Sequence, residues 1–209
     1  MANQYPSVDM ALKMLEEAKV LSDGFWIAHS KNVGEACRLI ALKCPNMDVD
    51  KAYVCGLLHD IGRRFQGKIQ VGKQHTINGY RFLMENGFDD VAKICLTHSF
   101  PNKDEVFCYG DDCSDIDNEF IENFVKSCEY DDYDRLVQLC DMLATDKGIL
   151  LLEQRCINIA LRYPADDREI KRWRHAFKLK EYFSEKVGTS VYNLFPNFFE
   201  NVVNYKQPV

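Results

Sequence analysis

The apolar residues of this chain recur mainly at intervals of three and four positions, which is the spacing of one face of an α-helix. This spacing predicts helices over about 7–20, 22–44, 49–61, 75–86, 89–100, 121–128, 132–144, 149–162 and 166–186. No stretch of useful length alternates between apolar and polar residues, and no internal repeat or linker divides the chain. The pattern therefore predicts one all-α domain over residues 1–209, folded as a compact multi-helix bundle.

Charge and composition narrow the classes of partner. Lys and Arg number 26 against 32 Asp and Glu, for a net charge of −6 in 209 residues. This charge balance argues against sequence-independent binding of long DNA or RNA, which requires a basic surface. No apolar run is long enough to span a bilayer, and no signal peptide is recognisable. The nine cysteines form no Cys-x-x-Cys pair. Reduced core thiols and a cytoplasmic location are expected from that usage.

The segment Val54–Arg64 carries the strongest local signal. Its apolar residues form one helical face that ends at His59 and Asp60. Gly62 follows, and we expect it to leave the helix at positive φ. Adjacent helical residues can reach one ion only near a helix end, where this pair lies. Imidazole and carboxylate are good ligands for divalent metals, although a core histidine beside a solvated aspartate is the alternative for the pair alone.

Other histidines and an aspartate fall at similar places. His29 lies on the apolar face of its predicted helix, which we expect to be buried. His75 begins a predicted helix, with Gly79 one turn later. His98 lies at the end of an apolar helical face. Asp141 lies on or beside the apolar face of the helix from 132, with Asp146 and Lys147 near its end. A buried carboxylate there needs a cation. Each residue alone has a structural explanation, but a shared ion site explains all of them together. The candidate ligands are His29, His59, Asp60, His75, His98 and Asp141.

This order of residues resembles the HD-domain superfamily of helical, metal-dependent phosphohydrolases. The resemblance covers about residues 22–147 and is most specific in Leu57–Arg63. The segment Leu139–Lys147 is similar to the last ligand segment of the family. His75 and His98 are similar to the extra pair of the two-metal branch, which includes enzymes that hydrolyse diadenosine tetraphosphate. Arg63 stands where many relatives have Lys, which keeps the charge but alters the geometry.

The resemblance implies roles for these positions. His29, His59, Asp60 and Asp141 would hold a first metal, and Asp60 would bridge to a second metal held by His75 and His98. Two ions about 3.5–4 Å apart could share a hydroxide that attacks phosphorus. Arg63 and Lys147 would neutralise charge on the phosphate oxygens. The nitrogen and oxygen ligand set favours iron, with Mn, Mg, Co, Ni or Zn as alternatives.

The implied function is hydrolysis of a phosphoester or phosphoanhydride in a small nucleotide-like substrate. Some proteins with the same ligand order are mixed-valence di-iron oxygenases, so an oxygenase is one alternative. A nucleotide- or partner-binding domain without turnover is the other. O₂-dependent turnover and the EPR signal of a coupled iron pair would separate the first alternative from a hydrolase.

The remaining segments are expected to frame this site. The loops Gly62–Lys73 and Phe100–Asn118 are predicted to shape the pocket, and the second fails the spacing of an EF-hand. In the helix 166–186 the charged residues are expected to form a solvated face that includes His175, unrelated to chemistry. The aromatic-rich segment after residue 188 is expected to pack on the core or to support a homodimer.

Overall fold

The computed structural model describes residues 5–66, 74–106, 113–162 and 166–207. Within these ranges the α-helices are α1 (Val8–Leu21), α2 (Phe25–Ala41), α3 (Val49–Leu58), α4 (Gln74–Glu85), α5 (Asp89–Thr97), α6 (Asp115–Ser127), α7 (Asp132–Leu143), α8 (Leu152–Ala160), α9 (Asp167–Val187) and α10 (Phe198–Asn204). Short 3₁₀ helices cover Ile61–Phe65, Lys103–Glu105 and Val191–Leu194. Strands β1 (Ala144–Thr145) and β2 (Gly148–Ile149) pair antiparallel in a small hairpin. The prediction of an all-α fold is confirmed.

Several helices begin directly after a residue whose side chain caps them. The Ser7 hydroxyl accepts a hydrogen bond from the Met10 amide at the start of α1. Asp48 caps α3 in the same way, and Asp131 forms a reciprocal capping box with Asp134 at the start of α7. Each cap satisfies amide groups that have no partner inside the helix. The caps therefore fix the residues at which α3 and α7 begin.

Three local predictions were wrong. Helix α3 ends at Leu58 and continues as a 3₁₀ helix from Ile61, and Gly62 is not among the glycines at positive φ. Helix α6 begins at Asp115, six residues before the predicted start, because Ser114 caps it. The chain after α7 turns into the β1–β2 hairpin, so Asp146 and Lys147 lie in a turn and not near a helix end.

The core surrounds α3. Helices α2 and α3 make the most extensive helix–helix contact in the described residues, and α7 packs against both. The close approach of α2 and α3 requires two glycines, because a Cβ built on Gly56 would lie 2.6 Å from the Cα of Gly34. Val54, Leu57 and Leu58 of α3 are fully buried. This packing fixes the C-terminal end of α3, where His59 and Asp60 lie, at the centre of the bundle.

Two further sequence predictions concern membranes and thiols. No helix in the described ranges combines the length and the apolar character needed to cross a bilayer. None of the eight cysteines in these ranges forms a disulfide, and all of them except Cys128 are buried. Residues 67–73, which form most of the predicted loop Gly62–Lys73, lie outside the described residues, and so do residues 107–112, which include Cys108.

Candidate metal centre

The structure brings the six predicted ligand residues together at the ends of five helices. His29 lies in the second turn of α2, and His59 and Asp60 directly follow α3. His75 is the second residue of α4, His98 directly follows α5, and Asp141 lies in the last turn of α7. His59, Asp60, His75 and His98 are buried, whereas Asp141 keeps a quarter of its side chain exposed. Side chains from distant parts of the sequence therefore meet in one cluster.

One half of the cluster is centred on Asp141. Its Oδ1 lies 2.9 Å from His29 Nε2 and 3.8 Å from His59 Nε2. His59 Nε2 also lies 3.8 Å from Asp60 Oδ2. The ligand atoms of His29, His59 and Asp141 all lie within 4.8 Å of one another, a spacing that a single metal ion can bridge.

The other half is centred on Asp60. Its Oδ1 lies 3.1 Å from His75 Nε2 and 3.6 Å from His98 Nε2. His59, Asp60 and His98 form a second group whose ligand atoms lie within 4.8 Å of one another. Asp60 thus presents one carboxylate oxygen to each half of the cluster. The two carboxylate oxygens of Asp60 therefore face different imidazoles.

Hydrogen bonds orient two of the imidazoles. His59 Nδ1 lies 2.7 Å from the Gly56 carbonyl, and His98 Nδ1 lies 3.0 Å from the Ile94 carbonyl. Because a carbonyl oxygen only accepts, each Nδ1 donates, and in this tautomer the Nε2 lone pair of each ring faces the cluster. The Ser99 hydroxyl lies 3.1 Å from His98 Nε2 and can donate to that lone pair. In the described residues, His59 Nε2 is a buried atom without a hydrogen-bond partner.

The protonation states suit a metal centre. Burial alone would raise the pKa of the Asp60 carboxyl, but Arg63 and the surrounding imidazoles outweigh it and hold the pKa well below the usual value. Desolvation opposes ionisation of Asp141 too, and its hydrogen bond with His29 holds the pKa low. Burial, with help from His59, lowers the pKa of His98 to about 4. At neutral pH the carboxylates are therefore charged and His98 is neutral, as metal ligation requires.

A glycine contact places His75 beside Asp60. The 3₁₀ helix packs so closely on α4 that a Cβ on Gly62 would lie 2.0 Å from the His75 carbonyl oxygen and 2.4 Å from the Gly79 amide nitrogen. A Cβ on Gly79 would in turn lie 2.9 Å from the Cys95 sulfur of α5. Gly62 serves the site by allowing this close approach and not by adopting a positive φ. Gly79 likewise allows neighbouring elements to pack closely against α4.

The two predicted phosphate-neutralising cations occupy different places. Arg63 Nε lies 2.5 Å from Asp60 Oδ2, so its guanidinium supports a candidate ligand directly. Lys147 is exposed in the β1–β2 turn, and its amide donates to the Thr145 hydroxyl. Its ammonium makes no hydrogen bond or ion pair within the part of the chain that the structure describes. The structure therefore brings Arg63 into the cluster and leaves Lys147 at the surface.

A cavity borders the cluster on the side of α9. His98 and Asp141 form one part of its lining, and Arg172 and His175 of α9 form another. His175 was predicted to lie on a solvated face, but it is partly buried in this wall. Its neighbours in sequence are mostly charged, so helical periodicity alone gave no sign of the contact. The i, i+3 spacing of Arg172 and His175 places both side chains on one side of the helix, but this spacing is common in charged helices and did not by itself indicate a buried wall.

Comparisons with known proteins agree with this geometry. The family model described as HD domain matches residues 26–146, which include all six clustered residues. The search of curated proteins and the search of solved structures gave no match. The matched region contains more than half of the chain and ends before α8. HD domains bind divalent metals, and the chain has His and Asp groups that could hold one. This chain belongs to the HD domain family.

Proposed function

We propose that this protein is a metal-dependent phosphohydrolase that holds two divalent ions and cleaves a phosphoester or phosphoanhydride of a small nucleotide-like substrate. The observation that carries the proposal is the position of Asp60, whose two carboxylate oxygens face different sets of imidazoles. Membership of a family whose members are usually hydrolases supports it at the level of reaction class.

The residues fit the proposed ions. His29, His59, Asp141 and Asp60 Oδ2 would hold one ion, and His75, His98 and Asp60 Oδ1 would hold the other. The buried Nε2 of His59 supports this fit, since a buried polar atom without a partner is costly unless a ligand satisfies it. The donors are only nitrogen and oxygen, which suits iron or manganese better than a structural zinc site. When bound, the ions would acidify a water molecule and polarise a phosphoryl oxygen.

The protein's own groups would fix the geometry of that chemistry. The Gly56 and Ile94 carbonyls hold the rings of His59 and His98 in the required tautomer. Arg63 donates to Asp60 Oδ2 and keeps the bridging carboxylate in place and ionised. The location of Lys147 in an exposed turn gives less support to its proposed contact with phosphate. We therefore assign charge neutralisation near the cluster first to Arg63.

The test is phosphate release from a panel of nucleotides and dinucleoside polyphosphates by metal-stripped protein that is reloaded with Mn²⁺ or, anaerobically, with Fe²⁺. We expect phosphate release that depends on metal and falls at least 100-fold in Asp141→Asn. Loss of a residue that hydrogen-bonds a metal ligand typically lowers activity ~10–100-fold, and loss of a ligand itself costs more. Asp50→Asn is the control, since Asp50 is an exposed carboxylate in the first turn of α3.

Two results would count against the proposal. Phosphate release that is equal with and without metal would exclude a metal-dependent mechanism. O₂ consumption by the iron-loaded protein, without phosphate release from any substrate, would instead support the di-iron oxygenase alternative.

A further inference from the structure

The cavity beside the cluster has a wall that lies outside the family-matched region. Arg172 and His175 lie one turn apart on α9, which begins more than twenty residues after the matched region ends. They face a cavity whose lining also includes the candidate ligands His98 and Asp141. A molecule bound by the metal centre through this cavity would therefore also contact residues outside the family-matched region.

Hydrogen bonds through Gln138 connect this wall to the cluster. Gln138 of α7 donates from Nε2 to the Thr97 carbonyl, 2.9 Å away, immediately before His98. Because a carbonyl only accepts, the Gln138 atom that faces Thr97 must be the amide nitrogen. The amide oxygen of Gln138 then faces His175, whose Nε2 lies 3.3 Å away. His175 therefore donates through Nε2 to Gln138. One glutamine thus links α9 to the backbone that carries a candidate ligand.

Arg172 provides positive charge in the same wall. Its Nη1 donates to Glu169, 2.8 Å away, and Glu169 is almost fully buried. That contact holds the guanidinium on the inner side of α9 and engages one of the five N–H donors that an arginine carries. Burial, Lys178 and Arg135 lower the pKa of His175, so these two cations also act on this region. Arg172 is therefore the positively charged residue of this lining, which also contains the Asp141 carboxylate.

The remaining donors of Arg172 favour an anionic group next to the cluster. Guanidinium matches the oxygen geometry of phosphate, and its charge-assisted hydrogen bonds are stronger than neutral ones. Pro101, Met142 and Ala176 supply apolar surface in the same cavity, which suits a group with both charged and apolar parts. A nucleoside polyphosphate has these properties, with one phosphate at the metals and its neighbour within reach of α9.

We propose that Arg172 forms a subsite for a second phosphate, the one joined to the phosphate at the metal centre, while His175 holds α9 in place through Gln138, so that the protein prefers phosphoanhydrides to phosphomonoesters. This inference deepens the proposed function and rests on it for the position of the first phosphate. The assignment concerns binding, and neither residue is given a role in proton transfer.

The test compares binding of α,β-methylene-ADP, which resists cleavage of its phosphate link, with binding of AMP. Both are titrated into the Mn²⁺-loaded full-length protein, with intrinsic tryptophan fluorescence as the signal. We expect the wild-type protein to bind the diphosphate analogue at least tenfold more tightly than AMP. Arg172→Gln should reduce this ratio about tenfold or more, since charge-assisted hydrogen bonds to phosphate are roughly twice as strong as neutral ones.

Two further variants make the result specific. Arg174→Gln removes the same charge from an exposed position on α9 and should leave the ratio within about twofold of wild type, because exposed charges act weakly across solvent. Arg172→Lys keeps the charge but not the forked geometry, and should lose part of the preference. If Arg172→Gln does not fold, the Arg172→Lys result decides.

The outcomes separate this inference from the proposed function. An unchanged ratio in the Arg172 variants, or no preference in the wild-type protein, would overturn the subsite even if phosphate is released. A reduced ratio without phosphate release from any substrate would support the subsite and contradict the hydrolase.

Discussion

The contact between Gly62 and α4 makes a sharp prediction about how the cluster is assembled. A methyl group added in Gly62→Ala would lie 2.0 Å from the His75 carbonyl oxygen, whereas ordinary contacts of a Cβ begin at 3.4 Å. The two segments would have to separate by about 1.4 Å, the difference between these distances. Overpacking of this kind typically costs about 1–3 kcal/mol of stability.

The same displacement would act on the cluster. His75 Nε2 lies 3.1 Å from Asp60 Oδ1, and the shift moves the backbone of His75 directly. Metal–ligand distances tolerate only about 0.2 Å. We therefore expect Gly62→Ala to lose the proposed ion at His75 and His98 and to keep the one at His29, His59 and Asp141. Mn²⁺ bound per chain should fall from two equivalents towards one.

The assay pairs urea denaturation, followed by far-ultraviolet circular dichroism, with elemental analysis after Mn²⁺ loading. Gly87→Ala is the matched control, because Gly87 has φ +76° and no atom within 4 Å of its added Cβ. That variant should lose about 1–2 kcal/mol through backbone strain alone and keep its metal. Wild-type stability within about 0.5 kcal/mol and full metal content in Gly62→Ala would refute the reasoning.

Two further predictions concern stability. Lys93→Met should cost about 3–5 kcal/mol in urea denaturation, because Lys93 lies 2.7 Å from the fully buried Asp134 carboxylate and its loss leaves a buried charge unpaired. Lys126→Met removes only an exposed pair within α6 and should cost about 0.5 kcal/mol or less, so equal costs would contradict this assignment. Tyr5→Phe should destabilise the protein at neutral pH, since the hydrogen bond from Tyr5 is the main reason that the pKa of Asp48 is lowered. A carboxyl whose pKa is lowered in the folded state stabilises the protein at pH values above its unfolded pKa of about 3.9. This stabilisation is lost as the pH falls through the folded-state pKa. The difference between the two proteins should therefore shrink in acid denaturation below about pH 4, and a difference independent of pH would argue against the ionic hydrogen bond.

The sequence predicted the bundle and the meeting of the six residues because both depend on local regularities. The stripes of α2, α5 and α7 carry His29, His98 and Asp141 near helix ends, and side chains on buried faces meet in a helical bundle. The apolar pattern also predicted that α3 begins near residue 49 and α7 near residue 132, which agrees with the structure. Whether the cluster binds metal, and how many ions, stays a prediction.

What could not be predicted depends on contacts between distant residues. The role of Gly62 is set by the backbone of His75 and Gly79 across the contact, and no local rule contains that information. The β1–β2 hairpin has two residues in each strand, too few to produce an alternating pattern. His175 lies in a charged segment and was assigned to solvent, but packing of α9 against α7 turns it towards the cavity.

The count of bound metal ions tests the central claim most directly. Metal-stripped protein would be loaded with Mn²⁺, desalted and measured by elemental analysis, together with the double variant His75→Ala/His98→Ala. We expect about two equivalents in the wild-type protein and one in the double variant, whose remaining residues include His29, His59 and Asp141. Two equivalents in the double variant, or none in the wild-type protein, would contradict a two-metal centre built on Asp60.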